Sequence, residues 1–155
     1  MKASLLLAVL LLALLPVRAA DTPSSSVPAQ PTVQERLANA RKAVASGNWS
    51  AAMRELNVAT REEPQNADVH NLLGYTYRKR SSPDMAKAFQ HYNMALKFDP
   101  RHKGAHEYIG EAYLLDKRLP EAERHLVELE RICGNRDCEE YRDLAKSIAE
   151  FKGRN

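Results

Sequence analysis

Residues 67–100 read ADVHNLLGYTYRKRSSPDMAKAFQHYNMALKFDP. Two amphipathic stripes lie in this stretch. Val69, Leu72, Leu73 and Tyr77 recur at steps of three and four, and so do Met85, Ala88, Phe89, Tyr92, Ala95 and Leu96. That spacing places each set on one face of a helix. Ser82-Pro83-Asp84 separates the two stripes, and Asp99-Pro100 closes the second. Proline just beyond an apolar stripe is a stop signal, because it cannot donate to the preceding turn. The stretch therefore predicts two helices joined by a tight turn.

The same pattern extends in both directions. Upstream, Val33, Leu37, Ala40 and Val44 predict a helix ended by Gly47-Asn48. Met53, Leu56 and Ala59 predict its partner, about Ser50 to Glu62, ended by Pro64. Downstream, Ile109, Gly110 and Tyr113 mark one helix. Ala122, Leu126, Leu129 and Ile132 mark the next, which ends at Cys133-Gly134. A seventh helix, about Cys138 to Phe151, carries Tyr141, Leu144, Ala145, Ile148 and Ala149. The helix pair recurs at close to 34 residues, a period typical of stacked helical repeats. From Pro64 to Pro100 the count is 36, with the surplus in the Arg80–Pro83 turn, where an insertion costs little.

The first 32 residues are of another kind. Leu5 to Leu15 is an uncharged apolar run after Lys2, followed by Pro16 and by Val17-Arg18-Ala19. This matches a secretory signal peptide over residues 1–19, with cleavage after Ala19 or Ala20. The run is too short to span a bilayer, where about 20 residues are needed, so no stable membrane insertion is expected after cleavage. Residues 20–32, ADTPSSSVPAQPT, form a flexible tether. Cleavage after Ala19 reduces 155 residues to 136 and removes Lys2 and Arg18, so the net charge of +3 falls to +1. A nearly neutral chain gives no case for nucleic acid as a partner.

Leu73-Gly74, Tyr77, Ala88, Tyr92, Ala95 and Pro100 follow in order the pattern of a tetratricopeptide repeat, and the sequence resembles that family from about 33 to 134. Ile109-Gly110, Tyr113, Ala122 and Leu126 repeat the pattern, with Leu129 and Gly134 departing from it. Ala40, Ala43, Ala52, Leu56, Ala59 and Pro64 form the first copy, with Asn39 where leucine is usual. The resemblance implies an all-α right-handed superhelical stack of three helix pairs, residues 33–66, 67–102 and 103–136, with a capping helix over 137–152. An ordinary seven-helix bundle is the alternative. In such a stack Gly74, Gly110, Ala52, Ala88 and Ala122 let paired helices approach closely, Tyr77 and Tyr113 fill the space between pairs, and Trp49 belongs to the core.

The resemblance further implies a concave groove lined by the first helix of each pair. The residues expected there are Arg41, Asn71, Tyr75, Arg78, Glu107, Tyr108 and Glu111, basic in the first two repeats and acidic in the third. That polarity suits an extended, mixed-charge peptide or protein segment. Family members that hold chaperone C-terminal carboxylates use lysine, asparagine and arginine at set positions. The matching positions here are Leu37, Arg41, Leu72, Gly104 and Tyr108, and none carries the expected residue.

Other features have plainer readings. Cys133 and Cys138, in C-G-N-R-D-C, suit a structural disulfide in an exported protein, stapling the end helix to the third repeat, with Asp137 as a candidate helix cap. Redox or metal work would favour C-x-x-C spacing or further ligands. His102 and His106 are four apart but lack a completing ligand set, so no metal site is expected, and His106 and the equivalent His70 read as packing residues. Arg78-Lys79-Arg80 complements a helix C-terminus. Asn48-Trp49-Ser50 fits both a glycosylation acceptor and the turn between paired helices. No phosphate loop, nucleophile elbow or zinc-protease motif occurs, and no cofactor is expected. The expectation is a non-enzymatic interaction module, an adaptor or assembly factor in the bacterial periplasm, with secretion to the outside as the other destination. The competing classes are a redox or metal-handling protein using the two cysteines, and a self-assembling structural repeat.

Overall fold

The computed structural model describes residues 30–154. The expected signal peptide, residues 1–19, and residues 20–29 of the expected tether lie outside the described residues. Among the described residues seven helices follow in order: α1 Val33–Ala45, α2 Trp49–Glu62, α3 Ala67–Lys79, α4 Met85–Phe98, α5 Lys103–Leu115, α6 Leu119–Cys133 and α7 Glu139–Arg154. No strand occurs among the described residues. Helices α1/α2, α3/α4 and α5/α6 form three pairs, each stacked on the next, and α7 packs on both helices of the last pair.

Local chemistry sets the helix starts. Thr32 and Glu35 form a capping box, the Thr32 N–H donating to Glu35 Oε2 at 2.7 Å and the Glu35 N–H to Thr32 Oγ1 at 3.3 Å. Asn48, Asn66, Asp84 and His102 accept in the same way from the first turns of α2 to α5. Gly47 and Gly134 take the left-handed conformation after α1 and α6, at φ 69° and 73°. In the third repeat Lys117 occupies that conformation, at φ 57°.

The core follows the stack. Val33, Leu37, Ala40, Leu56, Ala59, Val69, Leu72 and Leu73 form one buried cluster. Ala88, Tyr92, Ile109 and Ala112 form a second, and Leu114, Ala122, Leu129, Leu144 and Ile148 a third. Tyr77 packs against the first two clusters and Tyr113 against the last two, so each tyrosine bridges successive pairs. Helix α1 forms despite Asn39, which is exposed while Leu37 and Ala40 are fully buried.

Three expectations are corrected. A Cβ on Gly74 would lie 2.6 Å from the Tyr92 ring in α4, its pair partner, as expected, but a Cβ on Gly110 would lie 2.6 Å from a Leu144 methyl in α7. Gly110 therefore admits the end helix, not α6. Trp49 is half-buried rather than in the core, because it sits at the first position of α2 beside a shallow recess with Met53 and Arg80. Asp137 does not cap α7. Its N–H donates to Asn135 Oδ1 at 2.8 Å, and the helix begins after Cys138, whose carbonyl accepts from Arg142.

Two histidine pairs repeat with the stack. His70 Nε2 lies 2.9 Å from the Pro64 carbonyl, and His70 Nδ1 lies 3.0 Å from His91 Nδ1. His106 meets Pro100 and His125 identically, at 3.1 and 2.9 Å. A carbonyl only accepts, so Nε2–H of His70 and His106 donates to it. Their Nδ1 atoms then accept from Nδ1–H of His91 and His125. Burial, and then the neighbouring histidine, push both His91 and His125 down to about 4, so these two rings are neutral at physiological pH.

The two glycine contacts generate a stability prediction. Gly74→Ala and Gly110→Ala should each lower stability by about 1–3 kcal/mol, because an added methyl must displace Tyr92 or Leu144 from a filled site. Thermal unfolding followed by circular dichroism measures it. An unchanged midpoint for both variants would contradict the close approach.

Candidate functional site: the acidic groove

A concavity of about 570 Å³ lies along α3 and α5. Of the seven residues expected in the groove, Arg41, Asn71, Tyr75, Glu107 and Tyr108 line it. Arg78 and Glu111 do not. Arg78 is buried, donates from Nη2 to Glu111 Oε2 at 2.7 Å and from Nε to the Tyr92 hydroxyl at 3.2 Å. Burial alone would lower its pKa, and Tyr92 and Glu111 outweigh that, so the guanidinium is held charged. Arg78 also lies 5.4 and 5.8 Å from the Tyr75 and Tyr108 ring centroids. It supports the tyrosines from beneath and is not free for a partner.

The groove also gains residues. Asp68 and His102 line it, and α7 adds Glu139, Glu140 and Asp143. Arg41 lies 3.6 Å from Asp68, and His102 Nε2–H donates to the same carboxylate at 3.2 Å. The His102 hydrogen bond holds Asp68 below its usual carboxylate range. Lys103 reaches Glu140 at 3.6 Å. The expected gradient from basic to acidic is thus corrected. Arg78 is consumed below the surface, Arg41 is matched by Asp68, and the lining is acidic towards α7.

Glu107 occupies the floor. It is 9% exposed, makes no hydrogen bond or ion pair, and faces the groove. Burial first, then the charges of Glu111, Asp143 and Glu140, raise its pKa to about 8, against a smaller opposing pull from Arg78. Beside it the Tyr75 and Tyr108 rings lie 4.9 Å apart, and burial pushes the Tyr108 hydroxyl up to about 12. The Asn71 side chain completes the floor, its Oδ1 without a partner and its Nδ2 near Gly104.

No family model matches the sequence, and no curated protein aligns with it. Solved structures do match. The TPR2B domain of yeast Sti1, solved in a complex with pHsp70, superposes with a TM-score of 0.69 at 14% identity, covering 79% of this chain and 98% of that one. The first TPR domain of human RPAP3 gives 0.63 at 15% identity, covering 79% and 97%. The chain has the fold of a tetratricopeptide-repeat domain.

Within that fold the end helix shapes the groove as well as the core. Cys133 and Cys138 are joined in the structure, S–S 2.07 Å, linking the end of the third repeat to the start of α7. Cys133, Cys138 and Glu140 cluster closely enough to suggest a metal-ligand set. The sulfurs bonded to each other present no thiolate, so the cluster holds no cation in this form. His102 is engaged by the Ala105 N–H at Nδ1 and by Asp68 at Nε2, which leaves no lone pair for a metal. The contribution of α7 was missed in the sequence, because a terminal helix follows no repeat template. Its surface run Glu139, Glu140 and Asp143 was the available signal.

Glu107 generates a pH-dependent prediction. Its folded pKa is raised above the unfolded value, so wild-type stability falls as pH rises from about 4.5 through 8. Glu107→Gln removes that loss. The variant's unfolding midpoint should differ least from wild type at pH 4.5 and exceed it most above pH 8. A constant difference across this range would show that Glu107 does not ionise against the fold.

Proposed function

We propose that this tetratricopeptide-repeat protein is a non-enzymatic interaction module that holds an extended segment of a partner protein in its groove. The supporting observation is the groove itself, where two half-buried tyrosines and uncommitted polar groups share one concave floor. Tyrosine combines contact area with a polar tip, and concave polar–aromatic floors are where binding energy concentrates. The solved Sti1 domain with a bound pHsp70 partner is consistent with this use of the fold.

The proposal includes export. The signal-like residues 1–19 direct the chain through the secretory route, with the bacterial periplasm as destination and an oxidising compartment to suit the paired cysteines. There it acts as a small adaptor or assembly factor.

A photo-crosslinking residue at position 75 or 139, in the groove, should capture the same partner in the native compartment. The same residue at Val127, exposed on α6 and outside the groove, should capture none of it. Equal capture from all three positions would overturn groove binding. Intact-mass measurement of the exported protein should show loss of residues 1–19 or 1–20, and a full-length mass in the exported fraction would overturn cleavage.

A further inference from the structure

We infer that the groove is a receptor for a basic side chain, a lysine or arginine of an extended partner segment set against Glu107 and framed by Tyr75 and Tyr108. This rests on the groove-binding reading above and specifies its ligand.

The first ground is an unsatisfied group. Glu107 is nine-tenths buried, faces the groove and has no donor. A buried carboxyl without a partner is costly and rare. The cations bordering the groove are already committed: Arg78 to Glu111 at 2.7 Å, Arg41 to Asp68 at 3.6 Å and Lys103 to Glu140 at 3.6 Å. Glu107 therefore has no cation within the described residues left to pair with, and a ligand's cation could take that place.

The second ground is the field around it. From α3, Tyr75 and Arg78 face Glu107. From α1 comes Arg41, paired with Asp68 of α3, and from α5 come Tyr108 and Glu111, with His102 at the helix start. From α7 come Glu139, Glu140 and Asp143. Around the groove as a whole carboxylates outnumber cations, so an acidic segment would be repelled and a basic one drawn in. The Tyr75–Tyr108 pair already stacks one guanidinium, that of Arg78, and its remaining surface lines the groove. Aromatic faces beside a carboxylate suit an arginine or lysine stem and head. A metal ion fits less well, since among the described residues only Cys133, Cys138 and Glu140 converge closely enough to hold one.

Binding has a proton signature. Glu107 carries a proton at neutral pH when the groove is empty, its pKa raised to about 8. An incoming cation favours the ionised form, so binding expels that proton. Affinity should therefore rise several-fold per pH unit between 6 and 8 and level off above.

The test uses the mature chain with its disulfide intact. A random dodecapeptide display library is selected on it at pH 8, and the best synthetic peptide is titrated calorimetrically at pH 7 in two buffers of different ionisation enthalpy. Selected peptides should share a lysine or arginine and release about one proton on binding. Glu107→Gln should weaken binding by about 10-fold or more and abolish the proton release. Asp143→Lys, on an exposed position that leaves the core untouched, should weaken binding as well. Circular dichroism confirms that each variant is folded. Acidic or apolar winners whose binding is lost in Tyr75→Ala but unchanged in Glu107→Gln would overturn the basic ligand and leave groove binding intact. Winners indifferent to Tyr75→Ala, or no winners at all, would overturn both.

Discussion

The stack must be closed at its last pair, and the contact of α7 with α5 at Gly110 closes it. An open helical repeat leaves the apolar stripe of its final pair facing water. Here Leu144 sits where any side chain on residue 110 would have to be, and Leu144 and Ile148 join Leu114, Ala122 and Leu129 in the third core cluster. The link between Cys133 and Cys138 fixes the start of the same helix. Once α7 is held there, its outward face borders the groove, and Glu139, Glu140 and Asp143 arrive beside Glu107. The contact that completes the core thereby sets the charge of the groove.

A second chain of contacts decides which charges remain free. Gly74 admits the Tyr92 ring, the Tyr92 hydroxyl accepts from Arg78, Arg78 pairs with Glu111, and Glu111 accepts a 3.4 Å hydrogen bond from Ser147 of α7. This links the second pair, the third pair and the end helix through buried polar groups. Buried charge is stable only when paired and hydrogen-bonded, so Arg78 is drawn inward and Glu111 with it. Glu107, one turn earlier on α5, is left without a cation. The acidity of the groove is a consequence of how the interior is satisfied.

Much of the fold is legible in the residues themselves. The stripes of three and four, the punctuating Pro64 and Pro100, and the left-handed glycines at 47 and 134 locate all seven helices within a few residues. Periodicity reports which face of a helix is apolar. It does not report which residue of another element meets a given side chain. Arg78 and Glu111 are 33 positions apart and read equally well as free groove charges. Gly110 was expected to meet α6 because Gly74 meets its own pair partner, and only three-dimensional closure shows that α7 takes that place. The histidine pairs illustrate the middle case. His70 and His106 are visible as equivalent positions, while their partners His91 and His125 emerge only when the second helices are overlaid as well.

The likeness to the Sti1 and RPAP3 domains transfers backbone, not chemistry. At 14–15% identity what is shared is the fold, and a fold does not fix the chemistry of the side chains set on it. Two opposing titrations then bound the working range of this groove. His91 and His125 are neutral partners with pKa values near 4 in the fold, against about 6.5 unfolded, so the stack loses stability as pH falls below 6.5. Glu107, its folded pKa raised to about 8, withdraws stability progressively from about pH 4.5 upward, and above 8 the loss is complete. Between about pH 4.5 and 6.5 the two histidines gain stability with rising pH faster than the one carboxyl loses it, and from about 6.5 to 8 only the loss remains. These three groups together therefore place the most stable pH of the fold at about 6.5, where Glu107 still holds its proton.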